Sequence, residues 1–143
     1  MMHEEKHAAA LQEVNAYIDE SLKSAVLLQR QRLLVMALSL GMQHIIELWL
    51  HKARAIQPGA SVKHEFFKAE ERRLALKLTG MLTKDVRSLR NADAIFSLAR
   101  EIERNRDDIV YGAPLPRDKI LREKIEYFFE LKKAVRESVG VFE

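Results

Sequence analysis

Apolar residues recur at spacings of three and four along most of the chain, which is the pattern of amphipathic helices. The first such segment places five apolar side chains on one face: Leu11, Val14, Ile18, Leu22 and Ala25. A second segment, residues 25–57, is apolar on nearly every side and is stopped by Pro58-Gly59. A helix that is apolar all round is buried. We therefore expect residues 25–57 to form the central helix, with Ser39 and Gly41 as small residues where a neighbouring helix approaches.

Three further helices are predicted downstream of the central one. Ser61 is a candidate N-cap for a third helix ending near Gly80, and Thr83 or Asn91 for a fourth. The fifth begins near Asp118, after a turn that contains two prolines. Their apolar stripes are Phe66, Phe67, Leu74 and Leu78, then Ile95, Leu98, Ala99, Ile102 and Ile109, then Leu121, Ile125, Phe128, Leu131 and Val135. The predicted fold class is all-α, a single-domain helical bundle of about five helices over residues 1–143, because no alternating pattern is long enough for a strand.

The composition agrees with one folded domain. The chain has 143 residues, of which 48% are apolar and 31% charged, and this length and balance suit a single core. The absence of cysteine excludes disulfides, thiol nucleophiles and thiolate metal sites. The first residues have neither the basic start nor the apolar run of a signal peptide, so we expect a cytoplasmic protein. Gly-rich phosphate loops and the common hydrolase motifs are also missing, and no cofactor is expected.

The net charge of +3 is unevenly distributed. Residues 25–63 carry five lysines and arginines against Glu47 alone, whereas residues 1–24 carry two lysines against five acids. A local basic excess of this kind attracts RNA or an acidic protein partner.

Residues 33–50 are apolar enough to raise the question of a transmembrane helix. The segment contains Gln43, His44 and Glu47, and a carboxylate at the middle of a membrane costs about 2.5–3.5 kcal/mol. We therefore expect a buried core helix and no membrane association.

His44, Glu47 and His51 fall on one side of this central helix. Three ligand-type side chains on one stripe could bind a metal ion. In the alternative interpretation, Glu47 and His51 form a pair four residues apart while His44 is satisfied in the core. Metal sites in helical bundles need matching ligands on other helices, and no second Glu-x-x-His appears. No metal site is therefore predicted.

The segment 104–112, Arg-Asn-Arg-Asp-Asp-Ile-Val-Tyr-Gly, is the main candidate for a functional site. Continuing the apolar stripe of the fourth helix from Ile102 to Ile109 turns Asn105 and Arg106 inward, where buried polar groups need partners. Glu47, the only acid on the central helix, is one candidate partner of Arg106. The alternative is that Arg106 reaches the edge of the bundle and pairs locally with Asp107 or Asp108.

This segment resembles the signature of the HEPN family of RNA-associated helical proteins, Arg-x4-6-His. The shared features are an amphipathic helix that ends in an Arg-Asn dipeptide, a short spacer, a glycine, and a proline-punctuated turn into a final helix. Residues 97–103 and the Ile46-Glu47-Leu48 part of the second helix are also similar to the family pattern. The resemblance covers about residues 25–135. It implies that motif residues of two protomers meet in a groove at a dimer interface, where active members cut RNA without a metal.

The motif departs from the family pattern at its most important position. Aligning Arg106 with the family arginine puts Tyr111 where the histidine should be, and Asp107 where asparagine is usual. A phenol ionises well above neutral pH and replaces a histidine poorly in proton transfer. The resemblance thus implies a degenerate member that binds without cutting, with Glu47, Asn105, Arg106 and Tyr111 in its groove.

The partners that the resemblance implies are a second copy of the chain, RNA, and a small nucleotidyltransferase of the kind that modifies a tyrosine near this position in toxin-antitoxin-like modules. Two alternatives remain open. The first is a plain helical interaction module in which Arg106 is a structural interface residue. The second is an active metal-independent ribonuclease that uses Tyr111, or His44 or His51 from the second helix.

Overall fold

The most apolar segment of the chain forms the helix around which the others pack. The computed structural model describes residues 4–57, 59–69 and 71–143. Its six α-helices are α1 (Glu4–Lys23), α2 (Gln31–Lys52), α3 (Glu71–Thr79), α4 (Ala92–Glu103), α5 (Arg106–Tyr111) and α6 (Lys119–Val139). Three short 3-10 turns lie at Leu27–Arg30, His64–Lys68 and Val86–Ser88. The described residues contain no strand, only one isolated bridge between Ile56 and Leu82, so the predicted all-α, single-domain bundle is confirmed.

Helix α2 is the core helix, as its sequence predicted. Helices α1, α4, α5 and α6 all pack against it. The stretch Leu27–Lys52 is long and apolar enough to cross a membrane by length and composition, but 72% of its most apolar window is buried inside the bundle. The same test is passed by the core helices of soluble proteins, so it is weak support for a membrane span.

The three longest helices meet at Gly41. A methyl group built at this position would lie 2.7 Å from both Val14 of α1 and Phe128 of α6. Because real Cβ contacts are almost never this short, only glycine lets both neighbours approach α2 here. The prediction that a neighbour approaches at the small residues of α2 is confirmed at this site.

The predicted junction between the first two helices is wrong in detail. The helix expected over residues 25–57 begins as a 3-10 turn at Leu27 and is α-helical only from Gln31 to Lys52. Leu22 and Ala25, placed on the buried face by periodicity, are exposed: Leu22 lies in the last turn of α1, and Ala25 follows the end of that helix at Lys23. At its other end α2 stops before the predicted Pro58-Gly59, since Arg54 adopts a left-handed conformation with φ of 54°. Pro58 itself lies outside the described residues.

The third and fourth predicted helices are each divided in two. Ser61 lies in extended chain and caps no helix, because the segment continues as the 3-10 turn His64–Lys68 before α3 begins. Asn91, rather than Thr83, precedes α4, although its side chain does not cap that helix. The fourth helix was expected to run through Ile109, but it ends at Glu103, and α5 follows after a turn at Arg104-Asn105. The fifth predicted helix is confirmed as α6, and its whole predicted stripe is buried.

Candidate functional site

An open groove lies where α4 turns into α5. It has a volume of about 510 Å³ and is lined by Phe67, Lys68, Ser97, Arg100, Glu101, Glu103, Arg104, Asn105, Arg106, Asp107 and Asp108. All five residues of the Arg-Asn-Arg-Asp-Asp part of the segment singled out from the sequence thus line one concave surface. The 3-10 turn His64–Lys68 supplies the rest of the lining near α5.

The turn between the two helices is set by Asn105. Its φ of 57° and ψ of 20° place it in the left-handed region, which asparagine tolerates better than other residues with a Cβ. The turn interrupts the helix, so that Asn105, predicted to face inward, is exposed, whereas Arg106 is mostly buried as predicted. This change of direction forms the groove.

A buried lysine of α6 holds the end of α4. The Lys124 ammonium donates hydrogen bonds to the backbone carbonyls of Glu101 at 3.2 Å, Ile102 at 2.6 Å and Arg104 at 2.6 Å. These carbonyls lack a helical partner because α4 ends there. Burial lowers the pKa of Lys124 to about 8, partly opposed by the nearby carboxylates of Glu103 and Glu101. Lys124 therefore fixes the point at which the groove begins.

Arg106 pairs locally and not with the central helix. Its guanidinium lies 2.9 Å from the carboxylate of Asp107, and 13% of its side chain is exposed. The buried Arg106 Nε has no hydrogen-bond partner among the described residues. The sequence left open whether Arg106 pairs with Glu47 or with Asp107 or Asp108, and the structure shows the local pair with Asp107.

Asp107 is shared between two cations. Its carboxylate contacts the ammonium of Lys68 as well as Arg106. Lys68 is the main cause that lowers the pKa of Asp107, and Asp107 in turn raises the pKa of Lys68. Both side chains are nearly half exposed, so the contact orients them more than it stabilises the fold.

The remaining arginines of the groove are the least compensated charges. Arg100 forms no ion pair with any residue that the structure describes, and Arg104 has only an exposed contact with Glu101 at 3.4 Å. Arg100, Arg104 and Arg106 all line this one groove.

The structure separates the four residues expected to share the groove. Asn105 and Arg106 line it, whereas Glu47 and Tyr111 do not. Tyr111 is the last residue of α5, and 76% of it is exposed. The chain around it is fixed to α2, because the Arg32 guanidinium donates to the carbonyls of Val110 at 3.1 Å and Gly112 at 2.9 Å.

Glu47 is buried in a cluster of histidines between α1 and α2. Its carboxylate lies 3.2 Å from His7 Nε2 and 3.8 Å from His51 Nε2. Burial alone would raise the pKa of Glu47, but His7 and the backbone N–H of Val62, which donates to Oε1, lower it below its ordinary value. His44 Nδ1 lies 2.9 Å from His7 Nδ1. The alternative prediction of a Glu47–His51 pair with His44 satisfied in the core therefore matches the structure.

A second histidine–carboxylate pair borders the groove. His64 Nδ1 lies 2.8 Å from Oε1 of the buried Glu103, whose other oxygen accepts a 2.8 Å hydrogen bond from Ser39 of α2. Glu103 lines the groove, and His64 belongs to the same 3-10 turn as Phe67 and Lys68. His64 is thus a histidine beside the arginine-rich segment, where the local motif has none.

Sequence reasoning missed His64, Glu103 and Lys124. A signal was available for Lys124, which falls three residues after Leu121 and four before Phe128 on the buried face of α6. Glu103 likewise follows Ile102 at the buried end of α4. No local signal could have found His64, because its partner Glu103 is distant in sequence.

The fold and site were compared with known protein families, curated protein sequences and solved structures, and none of the three comparisons found a match.

Proposed function

We propose that this protein is a degenerate HEPN-like homodimer that binds RNA in the groove at the α4–α5 junction without cutting it. The observation that carries the proposal is the set of three arginines, Arg100, Arg104 and Arg106, that line one open groove. Guanidinium groups bind phosphate through paired hydrogen bonds and remain charged at any physiological pH. The proposal also uses the family resemblance of residues 104–112, which no comparison tests.

Arg106 is prepared to accept an additional partner. Its side chain is mostly buried and held by Asp107, so little conformational entropy is lost when a ligand binds. Because Arg106 Nε is buried, the terminal nitrogens of the guanidinium are the donors that a phosphate in the groove would contact. Four carboxylates also line the groove, and two of them, Glu103 and Asp107, are already engaged with His64, Lys68 and Arg106, which weakens their repulsion of a phosphate.

Exposed apolar side chains on α2 support the homodimer. Leu33, Met36 and Leu40 follow a spacing of three and four residues on the helix, and each is at least 40% exposed. A stripe of this kind on an otherwise buried helix is typical of a surface that pairs with another helix. A second copy is the partner that the resemblance implies. Arg32, next to Leu33, anchors the end of α5, so the stripe begins close to the candidate segment.

The absence of cutting follows from the position of Tyr111. Its side chain is exposed and outside the groove lining, and within the described part of the chain no carboxylate is hydrogen-bonded to it. Its exposure favours a different role that the resemblance implies, namely an attachment site for a nucleotidyltransferase partner. The tyrosine hydroxyl would take a nucleotidyl group from a nucleoside triphosphate, with pyrophosphate leaving. The intact mass of protein purified from its own host would then exceed the sequence mass by one or more nucleoside monophosphates, each less one water. Tyr111→Phe would abolish the increase.

RNA binding is tested by fluorescence anisotropy with a labelled single-stranded RNA in chelator. We expect Arg106→Ala and Arg104→Ala to weaken binding by about tenfold each. The plot of log K against log salt has a negative slope, and each lost phosphate contact should make it shallower by about 0.7. The control is Arg122→Ala, which removes an exposed arginine of α6 that pairs with Asp118. Equal affinity of all variants, or no binding by wild type, contradicts the proposal and leaves the plain interaction module.

Dimerisation is tested by light scattering of the purified chain. Leu33→Arg introduces charge into the α2 stripe and is expected to give a monomer. Leu76→Arg is the matched control, since Leu76 is 74% exposed on α3, outside that stripe. A monomeric wild type, or equal loss in the two variants, contradicts a dimer through α2.

A metal-independent ribonuclease is the second candidate, and the His64–Glu103 pair favours it. A carboxylate at 2.8 Å orients the imidazole and leaves Nε2 available to exchange protons with a ribose hydroxyl. In this case RNA is cut in the presence of chelator, and cutting is lost in His64→Gln while binding persists. RNA that stays intact with wild type refutes this second candidate.

A further inference from the structure

We propose that His7, Glu47 and His51 form a binding site for one divalent cation of the zinc class, which joins α1 to α2. The site is independent of the RNA groove, because Glu47, His7 and His51 take no part in its lining. Each residue offers one ligand atom, and these three atoms all lie within 4.8 Å of one another.

The distances suit a tetrahedral ion. Glu47 Oε2 lies 3.2 Å from His7 Nε2 and 3.8 Å from His51 Nε2. Zinc binds histidine nitrogen and carboxylate oxygen at about 2.0–2.2 Å, so neighbouring ligand atoms of a tetrahedral site are about 3.4 Å apart. These two distances lie on either side of this value, whereas the ligand atoms of the two histidines lie within 4.8 Å of each other, so binding would draw them together by up to about 1.4 Å.

Two buried nitrogens at the site, His7 Nε2 and His51 Nε2, have no hydrogen-bond partner among the described residues. Each lies at ion-pair distance from the Glu47 carboxylate, and that pairing requires a protonated imidazole. His7 is only 3% exposed, so water does not readily take the missing partner's place. Unsatisfied buried polar atoms are rare in folded proteins and call for an explanation. A cation bound between the three side chains would satisfy both nitrogens and also balance the buried carboxylate.

The surroundings already hold two of the ligands in place. His7 Nδ1 is 2.9 Å from His44 Nδ1, an arrangement in which one ring donates its proton to the other. When His7 is the donor, its proton is on Nδ1 and its Nε2 lone pair is free for a metal. The backbone N–H of Val62 occupies Glu47 Oε1, which leaves Oε2 for the ion. These are the outer contacts that metal-binding histidines and carboxylates ordinarily have.

The ligand set selects the class of cation. Two imidazoles and one carboxylate suit zinc and similar transition metals, whereas Mg²⁺ and Ca²⁺ prefer sites built from oxygen. Three protein ligands leave a fourth position, and His51 is the partly exposed member of the set, so the open position lies toward the surface on that side. The sequence prediction of no metal site depended on the lack of a ligand on another helix, and His7 of α1 is that ligand.

The first experiment is calorimetric titration of the chelator-treated full chain with ZnCl₂. One ion per chain is expected, together with a higher melting temperature. Glu47→Gln and His51→Gln are expected to weaken binding by about a hundredfold, while His64→Gln, a histidine outside the cluster, leaves it unchanged. Absence of zinc binding by folded wild type, or equal weakening in the control, overturns the site.

A second measurement needs no variant and so does not depend on variants that fold. X-ray absorption of the zinc-loaded wild type is expected to show two imidazole rings and one or two oxygens around the ion. Co²⁺ in place of zinc should give the intense visible bands of a tetrahedral site. A shell of oxygens alone would show that zinc binds elsewhere and would refute the assignment.

Discussion

Replacing Lys124 with methionine tests whether a buried charge fixes the end of α4. Methionine keeps the length of the side chain and removes the ammonium that donates to the carbonyls of Glu101, Ile102 and Arg104. Those carbonyls then lose their partners at a helix end, and a buried unsatisfied polar group costs about 1–3 kcal/mol. In wild type, the cost of removing the ammonium from water offsets part of the stabilisation that its three hydrogen bonds give. We expect Lys124→Met to lower the free energy of unfolding by about 2–4 kcal/mol at pH 7.

The pH dependence of the same substitution has a definite sign. The pKa of Lys124 is about 8 in the folded state against an ordinary value of 10.5. Between these values the unfolded chain binds the proton and the folded chain does not, so stability rises with pH. The contribution is fully present above the unfolded pKa and is lost as pH falls through the folded pKa. At 1.36 kcal/mol per pH unit, the stability of wild type relative to Lys124→Met should rise by roughly 2.5 kcal/mol from pH 7 to pH 10.

Urea unfolding followed by the fluorescence of Trp49 measures this difference. Trp49 is the only tryptophan of the chain and is fully buried, so its emission reports the whole bundle. Subtracting the profile of Lys124→Met removes the titration of every other group. If the difference in free energy of unfolding is flat between pH 7 and pH 10, or falls, burial does not lower the pKa of Lys124. A variant as stable as wild type at pH 7 would refute its role at the helix end.

Three further substitutions test the packing and the polar contacts. Gly41→Ala should lower the free energy of unfolding by about 1–2 kcal/mol in urea, because overpacking between α1, α2 and α6 outweighs the higher helix propensity of alanine; an unchanged midpoint contradicts the close approach. Glu103→Gln removes a charge that raises the pKa of Lys124, so the rise of stability with pH should begin at a lower pH than in wild type, and an unshifted profile contradicts their coupling. Gln43→Leu removes the oxygen that accepts the backbone N–H of His64 at 2.9 Å, and amide exchange at that residue should accelerate, whereas unchanged exchange would show that the hydrogen bond does not hold the turn.

The helices could be predicted from the sequence because their signals are local. Spacings of three and four identified α1, α2 and α6, and the proline turn before Asp118 placed the start of α6 within one residue. Two of the breaks could not be predicted, since they depend on single residues in left-handed conformations. Arg54 and Asn105 end helices in this way, and nothing in the apolar pattern distinguishes them from helical positions.

The candidate site was predicted only where its residues are neighbours in sequence. Asn105 and Arg106 do line a groove, but Glu47 belongs to a different cluster and Tyr111 to the open surface. Periodicity fixes the face of a helix on which a residue lies and gives no information about which helix will face it. The partners of Glu47 from outside its own helix, His7 and the N–H of Val62, are both distant in sequence, so only the fold could bring them together.

The polar residues of α2 connect these two clusters, and their spacing explains why an otherwise apolar helix carries them. Ser39, Gln43 and Glu47 are four residues apart and so share one face. Each forms a hydrogen bond with a segment that packs against this face: Ser39 donates to Glu103, Gln43 accepts from the N–H of His64, and Glu47 accepts from the N–H of Val62. Because extended chain and 3-10 turns leave backbone N–H groups unpaired, segment 62–64 can pack against a core helix only where that helix offers acceptors. These three polar residues of α2 therefore serve first to bury segment 62–64. They also set the position of His64 beside the groove and of Glu47 beside His7, so that one structural requirement positions both candidate sites.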